Sequence, residues 1–145
     1  NRPIDASQFE QLRIEERYPI VGIDMNSDHL APEADRNAVA ISYTKGCYLG
    51  QEPIARIDAL GHVNKSLKRV RLRPEYGHLS GGESLIGGKL RTGDEQSDDR
   101  NVVGTVTSAV ENGGEVIGLS IVRLSAAKQT LRLLASDGQI WLAEC

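Results

Sequence analysis

The chain has 145 residues, about one domain's worth, with 17 basic and 20 acidic side chains and a formal net charge of −3. That balance gives no general argument for nucleic-acid binding, and no apolar run approaches the roughly 20 residues of a membrane span. Aromatic residues make up 4% of the chain, so the core must be built mostly from Val, Ile, Leu and Ala.

Two cysteines far apart in sequence, Cys47 and Cys145, are not a disulfide framework, and a reducing, cytoplasmic compartment fits them best. The start at Asn1 reads as a fragment or a processed chain, with no signal peptide ahead of it. Fifteen glycines are many for this length. Most follow residue 45, which predicts a turn-rich second half.

Ser7-Gln8-Phe9-Glu10 matches a capping box with Ser7 as N-cap, so a helix is expected from Gln8 to Arg17. Phe9 and Leu12 would form its apolar stripe, Pro19 would stop it, and Arg13 and Glu15 would lie on solvated faces. Val21 to Met25 is short and apolar, and Asn26-Ser27-Asp28 is a turn cluster. Residues 29 to 37 read as loop. Ala38 to Tyr43 reads as a short strand or an extended lead-in.

Lys45-Gly46-Cys47-Tyr48-Leu49-Gly50-Gln51-Glu52 places a thiol between two glycines, after a lysine and before a helix expected over Pro53 to Leu60. A helix dipole and a nearby ammonium both favour thiolate. The plainer alternative is a small buried hydrophobe in a Gly-bounded turn.

After Gly61 the pattern changes. Leu67 to Leu72 alternates, with Leu67 and Arg69 on one side and Lys68, Val70 and Leu72 on the other. Lys65, Lys68, Arg69, Arg71 and Arg73 crowd this stretch, either as one charged strand face or as a site for an anionic ligand. Gly81-Gly82 and Gly87-Gly88 punctuate short runs around Leu85 and Leu90. Gly93 to Asn101 reads as a polar surface loop. Val102 to Val110 and Val116 to Leu124 read as strands joined at Asn112-Gly113, a type I′ hairpin signal. Thr130 to Ala135 and Gln139 to Glu144 flank a second signal, Asp137-Gly138. Six short strands predict a small closed antiparallel barrel, because closure removes exposed edges.

Several chemistries lack their residues. His29, His62 and His78 have no zinc-ligand spacing, so no metal site is expected. Gly87-Gly88-Lys89-Leu90 lacks the remainder of a phosphate loop. No serine sits in a nucleophile elbow.

The stretch Lys45 to Glu52 resembles the K-G-C-Y-x-G-Q-E signature of the YgfZ-type folate-binding proteins, relatives of the glycine-cleavage T-protein (aminomethyltransferase). The match continues into Ala55-Arg56. Leu12-Arg13-Ile14-Glu15 with Gly22-x-Asp24 looks like a segment that both branches share. Val103 to Ser108 looks like a V-G-x-V-T-S strand of the T-protein barrel. Pro53 departs from the family's apolar residue there, but proline is tolerated in a first helical turn, which supports a helix start near Gln51.

The resemblance implies an α+β fragment, the carboxy-terminal half of a longer protein. Residues 1–64 would be the tail of its folate-binding region, and residues 65–145 a six-stranded carboxy-terminal barrel. It implies that Glu15 contacts the pterin of tetrahydrofolate or a derivative, with Arg13 structural. It implies that Cys47, with Lys45 beside it, is the functional thiol of a folate-dependent accessory protein for iron–sulfur cluster assembly or repair. Such a protein would support tRNA-modifying and other enzymes. Its partners would be folate and iron–sulfur client or assembly proteins, with transient cluster contact and no direct nucleic-acid or membrane contact. The fragment alone would be inactive. Two alternatives remain: an aminomethyltransferase that has no use for Cys47, and an interaction module built on the basic strand 65–73.

Overall fold

A computed structural model of the chain describes residues 3–79, 81–93 and 101–145. The polar stretch expected between Gly93 and Asn101 lies largely outside the described residues. Ahead of the barrel come helices α1 (Ala6–Glu15), α2 (Asn37–Ala40) and α3 (Gln51–Leu60), with a 3-10 turn at Ala31–Ala34. Six strands follow among the described residues: β1 (Lys65–Pro74), β2 (Lys89–Arg91), β3 (Val102–Asn112), β4 (Glu115–Arg123), β5 (Leu131–Leu134) and β6 (Ile140–Glu144). They form a closed antiparallel barrel in the order β1-β4-β3-β2-β5-β6, with β1 pairing to both β4 and β6. The expected closed six-stranded barrel with helices is therefore present.

Strand alternation fills the barrel from one side of each strand. Val70, Leu72, Leu90, Val106, Leu133 and Trp141 belong to this interior cluster. Leu85 joins it from a 3-10 turn at Gly82–Leu85, where a strand-like run was expected. Leu67 lies on the opposite face of β1 yet is fully buried, because Ile14 of α1 covers it together with Ile117 and Leu119. One helix residue thus converts part of the barrel's outer wall into a second core.

Both hairpins form. Asn112 pairs with Glu115 across Gly113 (φ 60°) and Gly114 (φ 91°), so the tight turn is centred one residue later than Asn112-Gly113. Two adjacent glycines supply both positive φ values without a Cβ penalty. Asp137-Gly138 lies in the β5–β6 turn, closed by the Ala135 N–H donating to the Gln139 carbonyl at 2.9 Å.

The helical part differs from expectation in several places. The cap of α1 is Asp5, whose carboxylate accepts the Gln8 N–H at 2.8 Å while the Gln8 side chain accepts the Asp5 N–H. Ser7 instead donates its hydroxyl to Asp5. An Asp and a Ser compete nearly equally as caps; here the box two residues earlier wins, with Gln8 as its reciprocal partner. Phe9 and Leu12 are 53% and 49% exposed, whereas Arg13 and Ile14 face the barrel. The helix has too few apolar residues for periodicity to orient it, and the polar partners of Arg13 do so instead. The 38–43 stretch holds no strand. Hydrogen bonds from Val39 and Ala40 to Arg36 make a short helical turn, and the closed barrel has no free edge to recruit a strand there.

Helix α3 starts at Gln51, with Gly50 before it (φ 83°) and Gly61 after it (φ 79°). Pro53 falls in the first turn, where backbone N–H groups have no intrahelical acceptor, so its missing donor is not felt. None of the α3 side chains is buried. No helix among the described residues is long and apolar enough to cross a membrane.

Candidate functional site

The Lys45–Glu52 stretch is an exposed turn that leads into α3. The Tyr48 N–H donates to the Gln51 side-chain oxygen at 3.2 Å, and the Gln51 N–H donates back to the Tyr48 carbonyl at 3.3 Å. The Lys45 N–H donates to the Ser42 hydroxyl at 3.2 Å, and the Lys45 ammonium stands 4.5 Å from the centre of the Tyr48 ring. This cation–π contact occupies the lysine with the tyrosine face. Cys47 is exposed and free, as is Cys145, so burial as a small hydrophobe does not describe it. It precedes Gly50, the N-cap of α3, by three positions and so stands outside the helix's first turn. An open concavity beside the turn is lined by Tyr43, Lys45, Tyr48, Gln51, Glu52 and Ala55. Leu49 also lines it; Gly46, Leu49 and Arg56 are all exposed.

Glu15 lies elsewhere. It is half-buried at the end of α1, and its Oε1 accepts the side-chain amides of Gln11 and Asn112, both at 3.1 Å. The Gln11 amide also donates to the Asn112 side-chain oxygen at 3.1 Å, which closes a three-membered ring. Among the described residues, no hydrogen bond, ion pair or ring contact joins Glu15 to the Lys45–Glu52 turn.

Sequence reasoning missed the most deeply buried polar cluster. Asp24 is 2% exposed and Arg13 is 5% exposed, and they pair at 2.7 Å. Asp24 Oδ2 accepts from Arg13 and from the Ile20 N–H, while Oδ1 accepts the hydroxyls of Thr107 and Ser108, each at 2.6 Å. Arg13 further donates to Ser108 at 2.8 Å, to the Tyr18 carbonyl at 3.0 Å and to Glu10 at 2.6 Å. Burial acts to lower the Arg13 pKa; the Glu10 hydrogen bond and the charges of Asp24 and Glu10 outweigh it and raise the pKa.

A β-bulge makes this cluster. The β3–β4 register shifts between Val106 and Ser108, so neighbouring residues Thr107 and Ser108 both reach one carboxylate instead of pointing to opposite faces. Gly22, at φ 92°, helps turn the chain so that Asp24 meets them. The L-R-I-E, G-x-D and V-G-x-V-T-S pieces, separate in sequence, therefore converge in space. No local pattern announces that convergence.

The basic stretch of β1 is largely paired. Arg71 bonds Glu144 and Arg73 bonds Glu115 across neighbouring strands, and Lys68 bonds Asp35. Arg69 is exposed, with no such partner among the described residues. No group of three or more His, Cys, Asp or Glu side chains converges to hold a metal among the described residues.

No protein-family model matches the chain. Over 74 residues, half of the chain, it is 38% identical to the tRNA-modifying protein YgfZ of Blochmanniella pennsylvanica, covering 22% of that protein. It is 36% identical over 62 residues to the tRNA-modifying protein YgfZ of Colwellia psychrerythraea, which is 42% of the chain and 19% of that protein. An uncharacterized protein of Haemophilus influenzae is 32% identical over 100 residues, 68% of the chain and 32% of its own length. The aligned part of the chain spans about a fifth to a third of these curated relatives. Over the first two of these stretches the chain is similar to YgfZ proteins.

Proposed function

We propose that the chain is part of a YgfZ-type member of the T-protein superfamily: a folate-dependent accessory protein that supports iron–sulfur enzymes, including those that modify tRNA. Cys47 is its working thiol. Residues 1–64 belong to its folate-binding region and residues 65–145 to its carboxy-terminal barrel. The observation that carries this reading is the exposed, unpaired Cys47 in a Gly-bounded turn, braced by Tyr48–Gln51 hydrogen bonds and by Lys45 on Tyr48. The tRNA-modifying relatives support it.

An exposed thiol can form a mixed disulfide or lend one ligand to a cluster in transit. No second thiol stands beside it among the described residues, so the remaining cluster ligands lie outside them, in a client protein or elsewhere in the full-length protein. Folate fits Glu15 on one count. Its Oε2 has no partner among the described residues and can accept a pterin N–H.

The test is complementation. Cells lacking the full-length protein receive it as wild type, Cys47→Ser or Lys45→Ala, and tRNA modification is read by mass spectrometry. Wild type is expected to restore the modification and Cys47→Ser to fail at equal protein level. Full restoration by Cys47→Ser would sink the thiol role. Robust glycine-cleavage turnover that survives Cys47→Ala would favour the aminomethyltransferase instead.

A further inference from the structure

The ring of Gln11, Glu15 and Asn112 joins residues about a hundred positions apart. Gln11 and Glu15 are one helical turn apart on α1, so their side chains meet on one face. Asn112 is the last residue of β3, and the Gly113-Gly114 turn holds it in register opposite Glu115. Ile14, buried against Leu67, Ile117 and Leu119, sets the height of α1 on the barrel. The Arg13–Asp24 pair sets its rotation. Neither anchor touches the Glu15 carboxylate; the two amides do.

Their geometry is selective. A carboxylate oxygen has two lone-pair sites, and the amides of Gln11 and Asn112 take both on Oε1. Oε2 has none of its own taken by the described residues. Glu15 is thus presented as a one-oxygen acceptor with its plane set from behind. A ligand that donates paired N–H groups to both oxygens would have to displace an amide; one that donates to a single oxygen would not.

We propose that Asn112 and Gln11 are positioning residues for Glu15, holding its Oε1 so that Oε2 alone receives an N–H donor of the reduced pterin. This rests on the reading of Glu15 as a folate contact. The barrel thereby takes part in ligand recognition through its β3–β4 hairpin, without touching the ligand.

A mutant cycle on the full-length protein tests it, with binding of 5-formyltetrahydrofolate read by calorimetry well below the melting temperature of each variant. Glu15→Gln, Asn112→Ala and Gln11→Ala are each expected to weaken binding, the amide variants by about tenfold, as for loss of one hydrogen bond to a charged group. Residues acting only through Glu15 add nothing once it is changed. Glu15→Gln with Asn112→Ala should therefore bind no more weakly than Glu15→Gln alone. If Glu15→Gln leaves binding unchanged, the folate reading of Glu15 falls and this inference with it. If Glu15→Gln weakens binding but Asn112→Ala and Gln11→Ala do not, or their losses add in full to that of Glu15→Gln, only the positioning role is overturned. Gln11, on α1 and not in the hairpin, guards against a folding artefact at the β3–β4 turn.

Discussion

Asp24→Ala removes the acceptor around which the helical segment meets the barrel. Four donors lose their partner at once: the Arg13 guanidinium, the Ile20 N–H and the Thr107 and Ser108 hydroxyls. Removing one member of a buried ion pair usually destabilises by about 3–5 kcal/mol, because the other charge is left buried. Two features moderate this. Arg13 keeps Glu10, whose carboxylate is 39% exposed and so only partly compensates, and Thr107 keeps the Leu119 carbonyl at 3.2 Å. The lower part of the range, about 3 kcal/mol, is therefore expected, with a Tm drop on the order of 10 °C.

Asp24→Asn is more diagnostic. An amide can keep an oxygen toward Thr107 and Ser108, but its NH2 then faces Arg13 and the Ile20 N–H, donor against donor. It should still lose about 2 kcal/mol despite its matching volume. Urea unfolding followed by circular dichroism measures both, and Asp24→Leu with Arg13→Met measures the coupling. The double variant should be more stable than either Asp24→Ala or Arg13→Met, since no charge stays buried. A loss below about 1 kcal/mol for Asp24→Ala would refute the claim that this carboxylate holds the two parts together.

Gly118→Ala should destabilise by about 1–3 kcal/mol in the same assay, because its Cβ would fall 2.6 Å from the Ser108 carbonyl oxygen, a backbone atom that cannot swing away. Asp5→Ala should speed amide exchange in the first turn of α1, most clearly at Gln8, while the barrel amides stay unchanged. The Gln8 N–H and the Ser7 hydroxyl hold the Asp5 carboxyl below its ordinary 3.8. Its contribution is therefore present above that value and is lost as pH falls through the depressed one; exchange in that turn should be insensitive to pH-driven fraying from neutrality down to about 4. In a Cys145→Ser background, Cys47 should take up one equivalent of a maleimide in the native state. Protection of that thiol until denaturant is added would contradict its exposure.

The sequence by itself carried the barrel, because its evidence is local. Glycines with positive φ make hairpins, a pair at residues 113–114 and one at 138, and alternating Val, Ile and Leu read directly as strand faces. It also located the start of α3 through Pro53, whose fixed φ and missing N–H suit a first helical turn. The exposed Cys47 turn was legible as a motif for the same reason: eight consecutive residues need no fold to bring them together.

What required the tertiary structure were the contacts of high sequence separation. On α1, Phe9 and Leu12 looked like the buried stripe, yet Arg13 and Ile14 are buried, because their partners come from residue 24 and from strands near residues 67, 108 and 119. The Thr107 bulge cannot be read from Val-Thr-Ser alone. One extra residue in the β3–β4 register turns two adjacent hydroxyls toward the same carboxylate. Glu15 was legible as a candidate residue, but its amide partner Asn112 became visible only when the hairpin folded back beside α1. A pattern shows which face a residue can present; the register and docking of distant segments decide what meets it.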